Sequence, residues 1–425
     1  MKTLLKNIRL LKMTNDHIIE TNMVINDDRI AYIGDDYQTF SPFDKTIDCH
    51  GNLIMPGFKN AHTHSAMTFL RSKADDRVLQ DWLFNVVFPR EALLKKKYVY
   101  ELAKLAYLEY LTSGITACFD QYYFPLESGR AAEEIGMRIV LLGTYNGDTD
   151  LVKLYHDVNN KNGLVKYCIG VHAEYTLEEG ELEKVVEATH ALKAPFFTHI
   201  CETENEVKDC YEKRGMSPVA YFEKMGAFDY GGGGYHCCFF DDNDIEIYKR
   251  HNLTVVTCPG SNSKLASGIA PICKYLDAGL NVAIGTDGPA SNNCLDMFKE
   301  MTLLFSLQKL TRKDPTALPA FTILKMATVN GAKAMGLDDA DVLEVGKKAD
   351  LIEIDLSRPS MQPLNNIINN IVYSGAKDVI KMTMINGKIL YRDGKFFTKE
   401  RPQTIYKKCQ KITEEIDRLL EEKSL

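Results

Sequence analysis

The chain has a single tryptophan, no C-x-x-C pair, no cluster of basic residues and no apolar run of membrane-spanning length, and each absence removes a class of function. Its 51 lysines and arginines are outnumbered by 58 aspartates and glutamates, giving a formal net charge of −7. They are scattered, so there is no electrostatic footprint for nucleic acid or for an acidic membrane surface. The opening MKTLLKNIRLLKMTNDHIIE interrupts its short apolar runs with basic residues and lacks the continuous apolar centre of a signal peptide. A cytoplasmic protein with a small-molecule partner is therefore expected. The eleven cysteines include the neighbours Cys237 and Cys238 but form no zinc-knuckle or redox spacing, and they read as reduced, mostly buried thiols. The run Gly231 to Gly234 lacks the Lys-Ser/Thr and following helix of a phosphate loop. It is expected to thin a strand where backbones approach closely.

What is present is a change of rhythm along the 425 residues. The first fifty hold short β-branched runs such as HIIETNMVIND and RIAYIGD, and the same texture returns in DVLEVGKKADLIEIDL and DVIKMTMINGKILYRDGKFF, where Asn386-Gly387 and Asp393-Gly394 signal hairpin turns. These two ends, residues 1–55 and 341–400, are expected to build one small β-sandwich together. Between them, over residues 56–340, apolar strands alternate with long helical stretches. The strands are LIMPGFKNAH, ITACFD, RIVLLGTY, KYCIGVHA, PFFTHI, GGYHCCF, LTVVTC and NVAIGTD. Alternation of this kind implies parallel strands with crossover helices, and eight units predict an α/β fold of the (β/α)8 TIM-barrel type, which takes about 250 residues. Residues 401–425 space their apolar positions like an amphipathic helix, packed on the body or on a second subunit.

In such a barrel the reacting groups sit at the carboxyl ends of the strands. His62 and His64 end the first predicted strand, His172 the fourth, His199 the fifth, His236 the sixth and Asp287 the eighth, so five of the ten histidines fall at one rim. Singly, each reads as a hydrogen-bonded core or surface histidine. The spacing of His62 and His64 points both rings to one side of an extended strand, as chelation requires. With His199 and the carboxylate of Asp287 they make a nitrogen-rich set suited to one divalent ion, Zn(II) first and Fe(II) second, rather than to Ca(II) or Mg(II).

The motifs NAHTH, SAMTFLRS, DWLFNVVFPREA, THICET, YHCC, CPGSNSKLASGIAP, GTDGPASNN and GKKADLIEID resemble those of the amidohydrolase superfamily, and within it the 5′-methylthioadenosine/S-adenosylhomocysteine deaminase group, relatives of triazine hydrolases and guanine deaminases. The resemblance implies one metal on His62, His64, His199 and Asp287. It implies Glu202 as the carrier of a proton to the substrate ring, and His236 with Asp287 as the groups that orient or deprotonate water. His172 and Glu91 would contact the base and the ribose hydroxyls. Outside that context Glu202 reads as a surface carboxylate, His236 as a core histidine beside a cysteine pair, and Glu91 as an acid at a helix start. Trp82 walls the pocket or anchors packing, and Glu174 supplies a hydrogen-bond acceptor or faces water. The fourth predicted strand, GVHAEYT, lacks the lysine that binuclear members use.

The sequence departs from the group after its third predicted strand, where LLGTYNGDTDLVKLYHDVNN contains no arginine to hold the carboxylate of S-adenosylhomocysteine. Arg138 aligns with the start of that strand, not its rim. The expected reaction is deamination of the adenine ring of a neutral nucleoside: 5′-methylthioadenosine, 5′-deoxyadenosine or adenosine. Guanine or pterin deamination and triazine-type hydrolysis are sister activities on the same site. A non-catalytic member would have lost metal ligands, and none is lost here. The resemblance also implies a homo-oligomer.

Overall fold

The computed structural model describes residues 1–73, 75–143, 149–161 and 163–424. In chain order its strands are β1 (Lys2–Leu11), β2 (Ile18–Asn26), β3 (Arg29–Ile33), β4 (Lys45–Asp48), β5 (Leu53–Pro56), β6 (Phe58–Thr63), β7 (Ile115–Gln121), β8 (Arg138–Gly143), β9 (Val165–Gly170), β10 (Phe196–Ile200), β11 (Gly232–His236), β12 (Thr254–Thr257), β13 (Asn281–Ile284), β14 (Leu351–Ile354), β15 (Ile380–Ile385), β16 (Lys388–Arg392) and β17 (Lys395–Phe396). Strands β6 to β13 lie side by side in sequence order, and the ladders between them are all parallel. This is the predicted (β/α)8 barrel.

The predicted strand LIMPGFKNAH divides at Gly57 into two strands of different sheets. The Gly57 N–H donates to the carbonyl of Asp350 in the terminal region, and the next residue, Phe58, donates to Gly114 at the foot of the barrel. A Cβ at Gly57 would stand 2.1 Å from Thr116, so only glycine lets the chain step across here. A hydrophobic run reads the same whichever sheet receives it, and the sequence alone merges the two.

The two β-rich ends join, as expected, in one terminal β domain, a nine-stranded mixed sheet. The cause is β1. Its pairing with β2 shifts register between Leu5 and Ile8, around Asn7 at φ 55°. The first half then pairs with β4 and the second with β5. Leu5, Ile8, Met23, Ile54, Leu351 and Met384 share its core. Asn386-Gly387 and Asp393-Gly394 form the expected two-residue turns of β15–β16 and β16–β17, with positive φ at every central residue.

The barrel interior fills with Phe119, Phe197 and Tyr235 against the small side chains of Ala61, Ala117 and Ala283. Gly232 and Gly233 thin β11 as expected: a Cβ there would lie 1.9 Å from the carbonyl oxygen of Phe196 and 2.2 Å from that of Thr254. Strands β6 and β13 meet where the barrel closes. Asp287 N–H donates to the His62 carbonyl (3.0 Å), and the Asn60 side chain exchanges hydrogen bonds with Thr286 (2.9 and 2.7 Å). All eleven cysteines are free, nine of them buried. No helix among the described residues is long and apolar enough to cross a membrane.

The helix Pro402–Ser424 buries Ile405, Cys409, Ile412 and Ile416, one per turn, against the helix Lys96–Thr112 and the segment Ser65–Leu70 of the same chain. At the opposite end of the barrel from the histidines, Arg138 forms a buried bidentate pair with Asp350 (2.6 and 3.1 Å). Burial would raise the Asp350 carboxyl, but Arg138 outweighs it and holds the group below the usual carboxylate range. Arg138→Met leaves that carboxylate enclosed without its partner and is expected to cost about 3–5 kcal/mol. Urea unfolding measures this; a loss below about 1 kcal/mol, the scale of an exposed ion pair, would show that the pair is not structural.

Candidate active site

The rim of β6, β10 and β13 brings the predicted ligands together. His62 lies within β6 and His64 one residue beyond it; His199 lies within β10; Asp287 follows β13 at φ 58°. One donor atom from each lies within 4.8 Å of the others. The two His62 ring nitrogens are buried without a hydrogen-bond partner, and the ring stacks on Tyr235 at 3.8 Å between centroids. His64 Nδ1 donates to the Gln121 carbonyl, and His199 Nδ1 donates to the His172 carbonyl at 2.8 Å. A carbonyl only accepts, so both bonds fix the tautomer that leaves Nε2 free as a ligand.

Asp287 is anchored from behind. Its Oδ2 accepts from Ser261 (2.6 Å) and Ser291 (2.8 Å), and its Oδ1 accepts from Gly288 N–H (2.7 Å) while facing His64 Nε2 at 3.2 Å and His62 Nε2 at 3.5 Å. Burial would raise its pKa, but the His62 and His64 rings facing it hold it well below the usual carboxylate range. The same carboxylate overcomes the burial that would lower His64 and raises that ring to about 9. An enclosed carboxylate thus draws a positive charge to this point, which a divalent cation satisfies while His62 and His199, lowered chiefly by burial, stay neutral donors. Three imidazoles and one carboxylate fit a Zn(II)- or Fe(II)-type ion.

A cavity of about 290 Å³ opens onto this cluster, and Glu91, Trp82, His172, Glu202 and His236 all line it. Glu202, 6% exposed, accepts from Ser267 Oγ (3.0 Å) on Oε1, and its Oε2 lies 3.8 Å from His236 Nε2. His236 Nδ1 donates to Asn262 Oδ1 at 2.7 Å. Its pKa is raised: burial opposes, but Glu202 and Asp287 together prevail. The His172 Nδ1 is buried without a partner, and burial lowers that ring to about 4. Glu91 closes the helical stretch 79–91, buried at the cavity wall and accepting from Tyr122 at 2.6 Å, and is no exposed helix-start acid. Trp82 both walls the cavity and packs in the core, and its indole N–H has no partner.

One expectation fails. Glu174 neither lines the cavity nor faces water; it is buried in an ion pair with Arg214, forty residues away, which no local pattern announces. Gln121, Tyr122, Ser261, Asn262, Ser267 and Ser291 were given no role from the sequence, although the polar run SNSKLAS after β12 carries three of them. Residues 144–148, part of the stretch without arginine, lie outside the described residues. Among the described residues no lysine or arginine lines the cavity, and Arg138 is occupied at the far end.

The profile of the amidohydrolase family matches residues 53–390. The chain belongs to the amidohydrolase family. This amidohydrolase is 38% identical over 420 residues, 96% of its length and 97% of the relative's, to a 5-methylthioadenosine/S-adenosylhomocysteine deaminase of Thermoanaerobacter pseudethanolicus. It is 39% identical over 400 residues, 91% of its length and 92% of the relative's, to a 5′-deoxyadenosine deaminase of Methanosarcina acetivorans. Among solved structures, an adenosine deaminase from Xanthomonas campestris with bound zinc superposes with a TM-score of 0.91 at 28% identity, covering 98% of both chains.

Metal analysis tests the cluster. Asp287→Ala is expected to lose the bound ion during desalting, and Ser261→Ala, which removes one of the two hydroxyl donors behind the carboxylate, to weaken affinity by about 10- to 100-fold. Retention of a full equivalent of ion by Asp287→Ala would place the metal elsewhere.

Proposed function

We propose that this amidohydrolase is a zinc-dependent aminohydrolase that replaces the 6-amino group of adenine by oxygen in a neutral nucleoside and releases ammonia. The observation that carries this reading is the meeting, in one cavity, of the His62/His64/His199/Asp287 cluster with Glu202 and His236. The names of the two deaminase relatives support the substrate class, and the absence of cationic side chains among the described cavity residues supports a substrate without a charged tail.

A zinc ion held by those four residues supplies Lewis acidity and brings the pKa of water towards about 7. The protein's own groups do the proton work. His236 Nε2 orients the attacking water, and Asp287 accepts the one proton that the water sheds as its oxygen bonds to C6. Glu202 Oε2 delivers a proton to the ring nitrogen beside that carbon, so that the ring accepts electron density as the C6–O bond forms. The proton taken from the water passes to the amino group, the C6–N bond breaks with its electron pair leaving on ammonia, and the C6 hydroxyl proton returns to Glu202 as the C6–O double bond forms. His172 contacts the base, Glu91 accepts from the ribose hydroxyls, and Trp82 closes the wall beside them.

Ammonia release from metal-analysed protein tests the proposal. Fast turnover of 5′-methylthioadenosine, 5′-deoxyadenosine or adenosine, with little from S-adenosylhomocysteine, is expected. Equal use of S-adenosylhomocysteine would refute the argument from the missing arginine, and preference for guanine or a pterin would reassign the substrate. Glu202→Gln is expected to lose about 100-fold or more in kcat while keeping its metal.

Burial pushes the Glu91 carboxyl up to about 7 against the hydrogen bond from Tyr122. Its charged form, the better acceptor for hydroxyls, is therefore present above that pH and lost below it. KM for the nucleoside is expected to fall as pH rises through about 7. Tyr122→Phe, which removes the opposing donor, moves that change to higher pH, and Glu91→Gln removes it; a pH-independent wild-type KM would disconnect Glu91 from binding.

A further inference from the structure

The segment that follows β12 sends one side chain to each of three groups in the cavity. Ser261 Oγ donates to Asp287 Oδ2, Asn262 Oδ1 accepts from His236 Nδ1, and Ser267 Oγ donates to Glu202 Oε1. Asp287 is held by Ser291 and Gly288 as well, and the His236 ring also packs against those of His62 and His199. The third side chain acts on a carboxyl whose two oxygens are chemically equivalent until something distinguishes them.

We propose that Ser267 is a positioning residue that decides which oxygen of Glu202 carries the proton delivered to the substrate ring. The inference rests on the reading of Glu202 as proton carrier. A serine hydroxyl has one hydrogen to give, and here it goes to Oε1 at 3.0 Å. In a carboxylic acid the carbonyl oxygen is the good acceptor and the hydroxyl oxygen the poor one. The Ser267 bond therefore survives protonation only if the proton sits on Oε2, the oxygen 3.8 Å from His236 Nε2. Both residues are nearly enclosed, Ser267 at 8% and Glu202 at 6% exposure, so water competes poorly for either oxygen. The bond thus keeps the same oxygen loaded through every cycle.

The backbone beneath Glu202 is held by a different residue, which isolates the effect of Ser267. The Glu206 carboxylate accepts from the N–H groups of Cys201 (2.8 Å) and Glu202 (2.7 Å), closing a turn in which Cys201 takes φ 50°. Loss of the serine hydroxyl leaves this turn intact and frees only the Glu202 side chain. Ser267 itself is placed by its N–H, which donates to the Asn262 carbonyl at 3.0 Å.

Steady-state kinetics on the zinc-loaded protein with 5′-deoxyadenosine, combined in a double-mutant cycle, test the inference. Ser267→Ala is expected to lower kcat by about tenfold or more, at the low end for a misplaced general acid. KM, metal content and melting temperature should stay close to wild type, and Ser267→Thr, which keeps the hydroxyl, should recover most of the loss. In a Glu202→Gln background Ser267→Ala is expected to add less than about twofold, because residues acting as a unit are not additive. Wild-type kcat in Ser267→Ala beside a crippled Glu202→Gln overturns the inference alone, as does a Ser267→Ala loss that multiplies in full onto Glu202→Gln. Full turnover in Glu202→Gln overturns the proton-carrier reading and this inference with it.

Discussion

Asp287 lies in the seam where the first and last barrel strands meet, and its carboxylate is buried at the floor of the cavity. Burying a lone carboxylate costs several kcal/mol unless charge and hydrogen bonds offset it. Here two serine hydroxyls, one backbone N–H and two imidazoles do so. The backbone bond from Asp287 to His62 that closes the barrel is also the bond that sets these groups side by side. Closing the fold and assembling the site are therefore one event. An ion bound there joins strands β6, β10 and β13, which are far apart in sequence, and stabilises the folded state by mass action.

The frame around the seam divides its labour between two ends. At the carboxyl ends of the strands, polar side chains point inward and are tuned by burial. At the amino ends, Arg138 and Asp350 lock the barrel to the terminal sheet, and Asn386 N–H adds a third hydrogen bond to the same carboxylate at 2.7 Å. The aromatic layer between them, with Tyr235 stacked under His62, gives the reacting rim a rigid floor. Rigidity is what keeps each tautomer in place, because His64 and His199 are steered by single bonds to backbone carbonyls.

Much of this was legible in the sequence. The eight strands, the two hairpin turns, the histidine pair at the end of β6 and the cluster it joins all have local signals: an apolar run, an Asn-Gly, a spacing of two. What escaped depends on contacts between distant residues. Tyr122 meets Glu91 across 31 positions, Asn262 meets His236 across 26, and Ser267 meets Glu202 across 65. Glu174, two residues after His172, reads as an acceptor or a water-facing group, yet Arg214 captures it from forty positions away. The break at Gly57 was hidden for the opposite reason, since the flanking apolar residues are buried in both sheets and give one uninterrupted pattern.

The terminal sheet has a consequence for the order in which the molecule can be made. Strand β5 is flanked by β1 on one side and by β14 on the other, and the register from Leu53 to Pro56 is completed only by Leu351 to Ile354. As the chain leaves the ribosome, β1 to β5 emerge first, yet one edge of β5 must wait for nearly three hundred further residues. Throughout that interval a short apolar edge stands open to any other extended chain, the situation that invites wrong pairing. The barrel strands pair with their neighbours in the order they emerge, and there only the seam between β6 and β13 waits for the last strand.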